Sequence, residues 1–331
     1  MKYLLSLFFV IPLLSFAQIS DFKNVDFTIA DNIASLNKGE DLNNLPLLTQ
    51  KITYKLPTKV EKFRAIYTWV CNNIKGDANQ NYTISRKRRQ FKNDNNSFIE
   101  WNNNYRKKVF QKLIKHKKTT CSGYSVLIKK MCLLAGIECE IINGYGRTVE
   151  SNVKQLETPN HSWNAVKLKD KWYLCDATWS AGYLFDGDFI QDYNPGYFLA
   201  DPVLFSKNHY PFEKKWLLND LLQQKDYKIP PLVYSETFTH KIIPIHPQKM
   251  DVIIKKNTTI SFQFKSLKKI ESKNISLVKF VGNSERKLAI HNFKNNNGTF
   301  QFKYFFKKRG TQDVHLKINK DIVATYVITV R

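Results

Sequence analysis

Three side chains near the middle of the sequence have the chemistry to act together on a carbonyl: Cys121, His161 and Asp176. A thiolate is a strong nucleophile, an imidazole can take up and return a proton, and a carboxylate can hold that imidazole in one tautomer. Cys121 opens a periodic stretch in which Tyr124, Leu127, Ile128, Met131, Leu134 and Ala135 share one face, with Gly136 placed as a C-terminal cap. The spacing predicts a helix that starts at or just before the cysteine. A helix N-terminus favours a thiolate, and its unpaired N–H groups can receive the oxyanion of a tetrahedral intermediate.

The histidine and the aspartate flank two alternating stretches, His161 to Leu168 and Lys171 to Trp179, joined around Lys169-Asp170. Such a pair reads as a β-hairpin. If its loop has two or four residues, His161 opposes Thr178 and Trp163 opposes Asp176. His161 and Asp176 are then diagonal neighbours on one face, roughly 7 to 8 Å apart at the backbone, within reach of a hydrogen bond. A loop of three would send them to opposite faces.

Singly, each residue is ordinary: a cysteine among apolar residues is usually core, a strand histidine is often structural, and an aspartate near a turn usually caps something. Together they form a specific pattern. The segments are Cys121-Ser122-Gly123-Tyr124-Ser125, His161-Ser162-Trp163-Asn164-Ala165-Val166 and Trp172-Tyr173-Leu174-Cys175-Asp176-Ala177-Thr178-Trp179. In these segments the chain resembles the transglutaminase-like superfamily, particularly its kyphoscoliosis-peptidase-like branch, over residues 55 to 220. Tyr197-Phe198-Leu199, His209-Tyr210-Pro211 and Trp216-Leu217-Leu218 resemble the segment that follows the core in that branch.

The resemblance implies an α+β fold, with a papain-like core in which a helix-borne cysteine packs on an antiparallel sheet. It also implies a triad of Cys121 as nucleophile, His161 as general base and Asp176 as its orienting partner, with no cofactor. The expected chemistry is acyl transfer on a peptide or glutamine carboxamide carbonyl through a thioester. Hydrolysis by a protease or deamidase is favoured, and cross-linking by an amine acceptor is the alternative. A third reading is a catalytically silent core that serves as an envelope-binding scaffold. The chain departs from the family where many relatives carry glycine, having Lys118-Thr119-Thr120 instead, and in a basic insert upstream. Animal transglutaminases place a tryptophan in the oxyanion hole; here Trp69, Trp101, Gln90 and Gln111 are candidates, and the choice stays open. No acidic cluster suggests calcium control.

Val60, Phe63, Tyr67, Val70 and Ile74 form the stripe of a helix that packs against the core. From Ser85 to Lys118 the chain is dense in charge and amide, with Arg86-Lys87-Arg88-Arg89 at one end and Lys115-His116-Lys117-Lys118 at the other; a short helix around Val109 to Ile114 is expected within it. Such clusters read first as a solvated face and second as a polymer-binding site. Glu138 to Asn143 alternates as a strand, Asn194-Pro195-Gly196 marks a turn, and Tyr227 to Pro231 reads as an interdomain connection. Beyond it, stretches such as Thr258 to Phe264, Thr299 to Phe305 and Ile322 to Val330 predict an immunoglobulin-like β-sandwich. The expected organisation is a leader at 1–17, a catalytic domain at 18–230 and a β-sandwich at 231–331.

The chain's 331 residues, 43% apolar and 14% aromatic, suffice for two domains. Met1-Lys2, the apolar run Tyr3 to Phe16 and the small residue Ala17 form the pattern of a signal peptide cleaved before Gln18. Secreted or periplasmic residence follows, with no transmembrane span after cleavage, and the family resemblance then points to an exported bacterial member. The net charge of +24 favours anionic partners, or reflects only a composition rich in Lys, Asn and Ile. For an exported protein these are protein or peptide substrates and anionic cell-envelope polymers, with nucleic acid disfavoured. Five cysteines, an odd number, leave at least one thiol unpaired. No Cys/His spacing suits zinc, and Cys132, Cys139 and Cys175 lie in apolar stretches as expected of buried thiols.

Overall fold

Three helices lead the fold: α1 (Thr28–Leu36), α2 (Leu45–Thr53) and α3 (Lys59–Asn73). The computed structural model describes residues 19–153, 155–219, 227 and 229–331, so the leader read at 1–17 and its cleavage point lie outside the described residues. A capping box between Thr58 and Glu61 starts α3, which buries Val60, Phe63, Ile66, Tyr67, Trp69 and Val70. Burial of Ala65, Thr68 and Cys71 as well makes it a central helix rather than a surface one.

The basic stretch is more ordered than its composition suggests. After β1 (Lys75–Gly76) come α4 (Ala78–Gln90) and α5 (Asn95–His116), then β2 (Lys118–Thr119), which pairs in parallel with β1. One short helix was expected where two long ones form. Asp77 and Asp94 cap them through the N–H groups of Gln80 and Ser97. Lys, Arg and Gln are good helix formers, and the few apolar residues, Ile84, Phe98, Val109 and Leu113, are enough to anchor one face.

Helix α6 (Cys121–Leu134) follows at once, ending before Gly136, whose φ of 70° is the left-handed cap conformation. Next come β3 (Cys139–Gly146), β4 (His161–Leu168), β5 (Lys171–Cys175), α7 (Ala177–Ala181), the hairpin β6 (Gly182–Phe185) and β7 (Asp188–Gln191), α8 (Pro202–Phe205) and β8 (His209–Pro211). The central sheet has the antiparallel order β5-β4-β3-β8. Lys169 and Asp170 both have positive φ, a two-residue turn whose twist suits the strands it joins. That fixes the pairs Leu168 with Lys171 and Asn164 with Cys175, the register expected of a two-residue loop. The second strand stops at Cys175 rather than running to Trp179, because Asp176 turns its carboxylate onto the N–H groups of Thr178 and Trp179 and starts α7.

Alternation along the hairpin sends Val166, Leu168, Tyr173 and Cys175 to a core shared with α3 and α6. Trp163, Ala165 and Leu174 face a second core with Tyr197, Phe205, Val233, Phe238 and Ile243. The sheet is therefore buried on both faces.

The C-terminal part holds β9 (Leu232–Val233), α9 (Ser235–His240), β10 (Ile242–His246), β11 (Asp251–Ile254), β12 (Thr258–Ser266), β13 (Ile275–Val281), β14 (Ser284–Lys287), β15 (His291–Asn296), β16 (Thr299–Phe306), β17 (Gly310–Ile318) and β18 (Asp321–Val330). These strands form two sheets, β10-β12-β16-β15 and β11-β18-β17-β13-β14, with β9 added on β18; only the β11–β18 pairing is parallel. Phe262, Phe264, Phe302, Leu277, Val314, Leu316, Tyr326 and Ile328 fill the space between them. The result is an α+β molecule whose C-terminal part is a β-sandwich.

Candidate active site

Cys121 is the first residue of α6 and is half-buried. Gly123 and Tyr124 donate their N–H groups to the Thr120 carbonyl. The N–H groups of Cys121 and Ser122 are left with no backbone acceptor among the described residues. The sulfur lies within the influence of the His161 side chain and the Ser162 backbone N–H. His161 opens β4, and its Nε2 lies 2.8 Å from Asp176 Oδ2, which leaves Nδ1 as the nitrogen for the sulfur. The ring stacks on Trp179, with centroids 4.5 Å apart. On the neighbouring strand a side chain at Gly146 would meet His161 Cβ at 3.1 Å, so glycine gives the ring its room.

Asp176 is fully buried and has four donors around it. Oδ1 accepts from the N–H groups of Thr178 and Trp179; Oδ2 is shared by His161 and by His209 Nε2 at 3.1 Å. His209 enters from β8, stacks on Phe205 with centroids 3.8 Å apart, and has the Asn208 side-chain oxygen Oδ1 2.7 Å from its Nδ1. The sequence marked His209 only as part of a recurring segment and gave it no task. Its place at the carboxylate depends on the pairing of β8 with β3, a contact between distant parts of the chain that local patterns do not show.

Burial alone would push Asp176 up, but the charges and hydrogen bonds of His161 and His209 hold its carboxyl well below the usual carboxylate range. Burial works against a charged His161 too, yet the Asp176 charge and hydrogen bond, with help from Cys121, push it up to about 10. Burial would also raise the Cys121 thiol. The hydrogen bond and charge of His161, the Ser162 N–H and the field of Arg88 outweigh it and bring the thiol below its ordinary value. Both shifts favour a thiolate beside an imidazolium. His209 goes the other way: burial pulls it down to about 4 in spite of Asp176.

All five cysteines are free. Burial drives Cys71, Cys132 and Cys175 well above the ordinary thiol range, so Cys121 is set apart from them by charge as well as exposure. One ligand atom from each of His161, Asp176 and His209 lies within 4.8 Å of the others, close enough to share a metal ion. Those same atoms already hydrogen-bond one another, which accounts for the cluster without an ion.

None of the four proposed oxyanion donors is singled out by its surroundings. Trp69 Nε1 donates to the Asn37 carbonyl, Gln90 accepts from Lys87, Gln111 is exposed, and Trp101 stacks between Phe98 and Tyr105. Gln80, which the sequence did not single out, is buried with neither amide atom hydrogen-bonded. It lies three residues beyond Asp77, whose N–H reaches the carbonyl of Thr119, two residues before Cys121. The depression lined by Ile19, Ala200, Leu204, Lys241 and Leu267 contains none of the triad residues.

Residues 47–177, a span containing all three site residues, match the family model of the transglutaminase-like superfamily. The chain carries a transglutaminase-like domain. Over 211 residues it is 28% identical to the kyphoscoliosis peptidase of Homo sapiens, covering 62% of this chain and 29% of that protein. The mouse protein of the same name (Mus musculus) is 26% identical over 269 residues, 80% of this chain and 37% of that one. Hillarin of Drosophila melanogaster is 25% identical over 232 residues, 65% of this chain and 26% of that one. This chain thus spans only about a quarter to just over a third of these relatives. Among solved structures, one described as a TGase is 14% identical and covers 52% of this chain and 39% of its own, with a TM-score of 0.28.

Proposed function

We propose that the transglutaminase-like domain is a cysteine-dependent acyl-transfer enzyme acting on peptide or carboxamide carbonyls, and that its acyl acceptor is water. The observation that carries this reading is the grouping of the three side chains: the His161 ring is hydrogen-bonded to the Asp176 carboxylate and acts on the Cys121 thiol through its charge. In the first step Sγ attacks the carbonyl carbon, and the oxyanion that forms lies at the α6 N-terminus, where N–H groups are unpaired. His161 gives its proton to the departing amine as the C–N bond breaks, leaving a thioester. Water then attacks the thioester while His161 takes its proton, the C–S bond breaks, and a carboxylate leaves. Asp176 keeps the ring oriented through both halves and stays ionised. If a lysine-like amine replaced water, the same steps would form an isopeptide cross-link.

Incubating the full chain with a peptide mixture and a labelled primary amine, then reading masses, separates these outcomes. Products gaining water, absent with Cys121→Ala, support the hydrolase; products carrying the label support the cross-linking enzyme. Unchanged masses would count against both. A scaffold reading draws on the exposed cations of α4 and α5, among them Arg86, Arg89, Lys107 and Lys108. It expects salt-sensitive binding to anionic cell-wall material that survives Cys121→Ala. Export is part of the proposal, and a mature protein whose N-terminus begins at Gln18 is the expected sequencing result.

A further inference from the structure

The basic insert brings two arginines to the nucleophile. Arg88 lies on α4 and donates its Nε–H to the carbonyl of Pro159, two residues before His161, at 3.1 Å, while its guanidinium sits 5.4 Å from the centre of the Phe98 ring. Arg106 lies on α5 at a spacing of three from Val109 and seven from Leu113, both buried, which places it on the helix face that packs toward α6 and β2. Its Nε is enclosed and has no hydrogen-bond partner. Each guanidinium interacts electrostatically with Cys121.

Neither arginine forms an ion pair among the described residues. Glu157 adds to the field at Arg88, but it is exposed and makes no ion pair with it. Elsewhere the chain handles such a group differently: Arg64, also largely enclosed, is clamped by both oxygens of Asp31. A guanidinium stays charged at all working pH values, and a partly buried one is ordinarily paired. The Cys121 thiolate supplies negative charge only until it is acylated. The thioester is neutral, so from that step on, among the described residues, Arg88 keeps only the exposed Glu157 and Arg106 has no ion-pair partner.

We propose that Arg88 and Arg106 form an anion subsite beside Cys121 that selects acyl donors bearing a carboxylate next to the reacting carbonyl. The inference rests on the acyl-transfer reading and names its substrate class, an acidic peptide. Planar forked donors suit a carboxylate in bidentate contact, and a site on two helices of one insert is rigid enough to read its position.

Alkylation of the full-length protein by iodoacetate and by iodoacetamide at the same pH tests this. The two reagents differ in charge and share the thiolate, so the ratio of their rates at Cys121 cancels any change in thiol acidity. The expected ratio exceeds that of N-acetylcysteine by about tenfold. Arg106→Gln and Arg88→Gln should each lower it several-fold, Arg106→Lys, which keeps the charge but not the fork, should lower it less than Arg106→Gln, and circular dichroism should show the variants folded. A ratio equal to that of free N-acetylcysteine, or one untouched by both glutamine variants, overturns the subsite while leaving the nucleophile intact. Absence of reaction at Cys121 with both reagents would overturn the acyl-transfer reading, and the subsite with it.

Discussion

Asp176 is the residue on which the site's electrostatics turn, because a buried carboxylate is tolerable only with its lone pairs occupied, and here two backbone N–H groups and two imidazoles occupy them. The pH dependence of stability follows from the direction of each shift. His161 rises from 6.5 to about 10 on folding, so the stability it contributes is complete below 6.5 and is lost as pH climbs toward 10. Asp176 is depressed, so its contribution is present above the unfolded carboxyl value and is lost in acid. Thermal melts from pH 6.5 to 10 should therefore show a falling Tm, and His161→Ala should flatten that slope; parallel slopes would refute the assignment. His209→Phe keeps an aromatic ring against Phe205 but removes one donor from the carboxylate. The expected result is a fall in kcat of about 10- to 100-fold with KM nearly unchanged, the usual consequence of losing a group that orients another. That Cys121, His161 and Asp176 come together was legible because each sits in a short motif; the place of His209 beside them was not, since nothing local ties it to position 176.

At the scale of elements, two features put the triad together. The turn at Lys169-Asp170 sets the hairpin register, and Thr119 closely approaches the start of α6, the helix that carries Cys121. A Cβ at Gly123 would lie 1.8 Å from Thr119 Oγ1, so Gly123→Ala must push the β1–β2 ribbon or the helix end aside. A loss of about 1–3 kcal/mol by denaturant titration is expected, with slower alkylation of Cys121. An unchanged midpoint would show that Thr119 moves freely. The sequence disclosed α6 and β4 to within a residue because their apolar periods are clean. It understated α4 and α5, where charged and amide residues together outnumber the apolar ones that give a period its visibility. It overran β5 because Trp179 continues the strand's alternation, while the capping carboxylate of Asp176 wins locally.

At the scale of the molecule, the hairpin of the site is held from both sides. Its second face packs on residues that come after the proposed linker, and Tyr197 stacks on Phe238 with centroids 4.0 Å apart. Arg147 adds to the junction by donating to the Pro231 carbonyl. Phe238→Ala should cost about 3–5 kcal/mol. It should also reduce activity, since Tyr197, Phe205 and His209 form one aromatic chain behind Asp176. Wild-type unfolding is expected as one cooperative transition, and two well-separated transitions by calorimetry would contradict a shared core. The two-sheet C-terminal part was legible from its alternating stretches. Its contact with the site was not, because it depends on side chains more than 30 positions away from those they touch.

The most direct measurement is the pH–rate profile for iodoacetamide alkylation of Cys121, followed by mass spectrometry, in the wild-type chain and in His161→Ala. A thiolate stabilised by the ring requires a wild-type inflection below that of a free cysteine, moving upward when the imidazole is removed. Coincident profiles, both with the inflection at or above the free-thiol value, would contradict a nucleophile paired with His161.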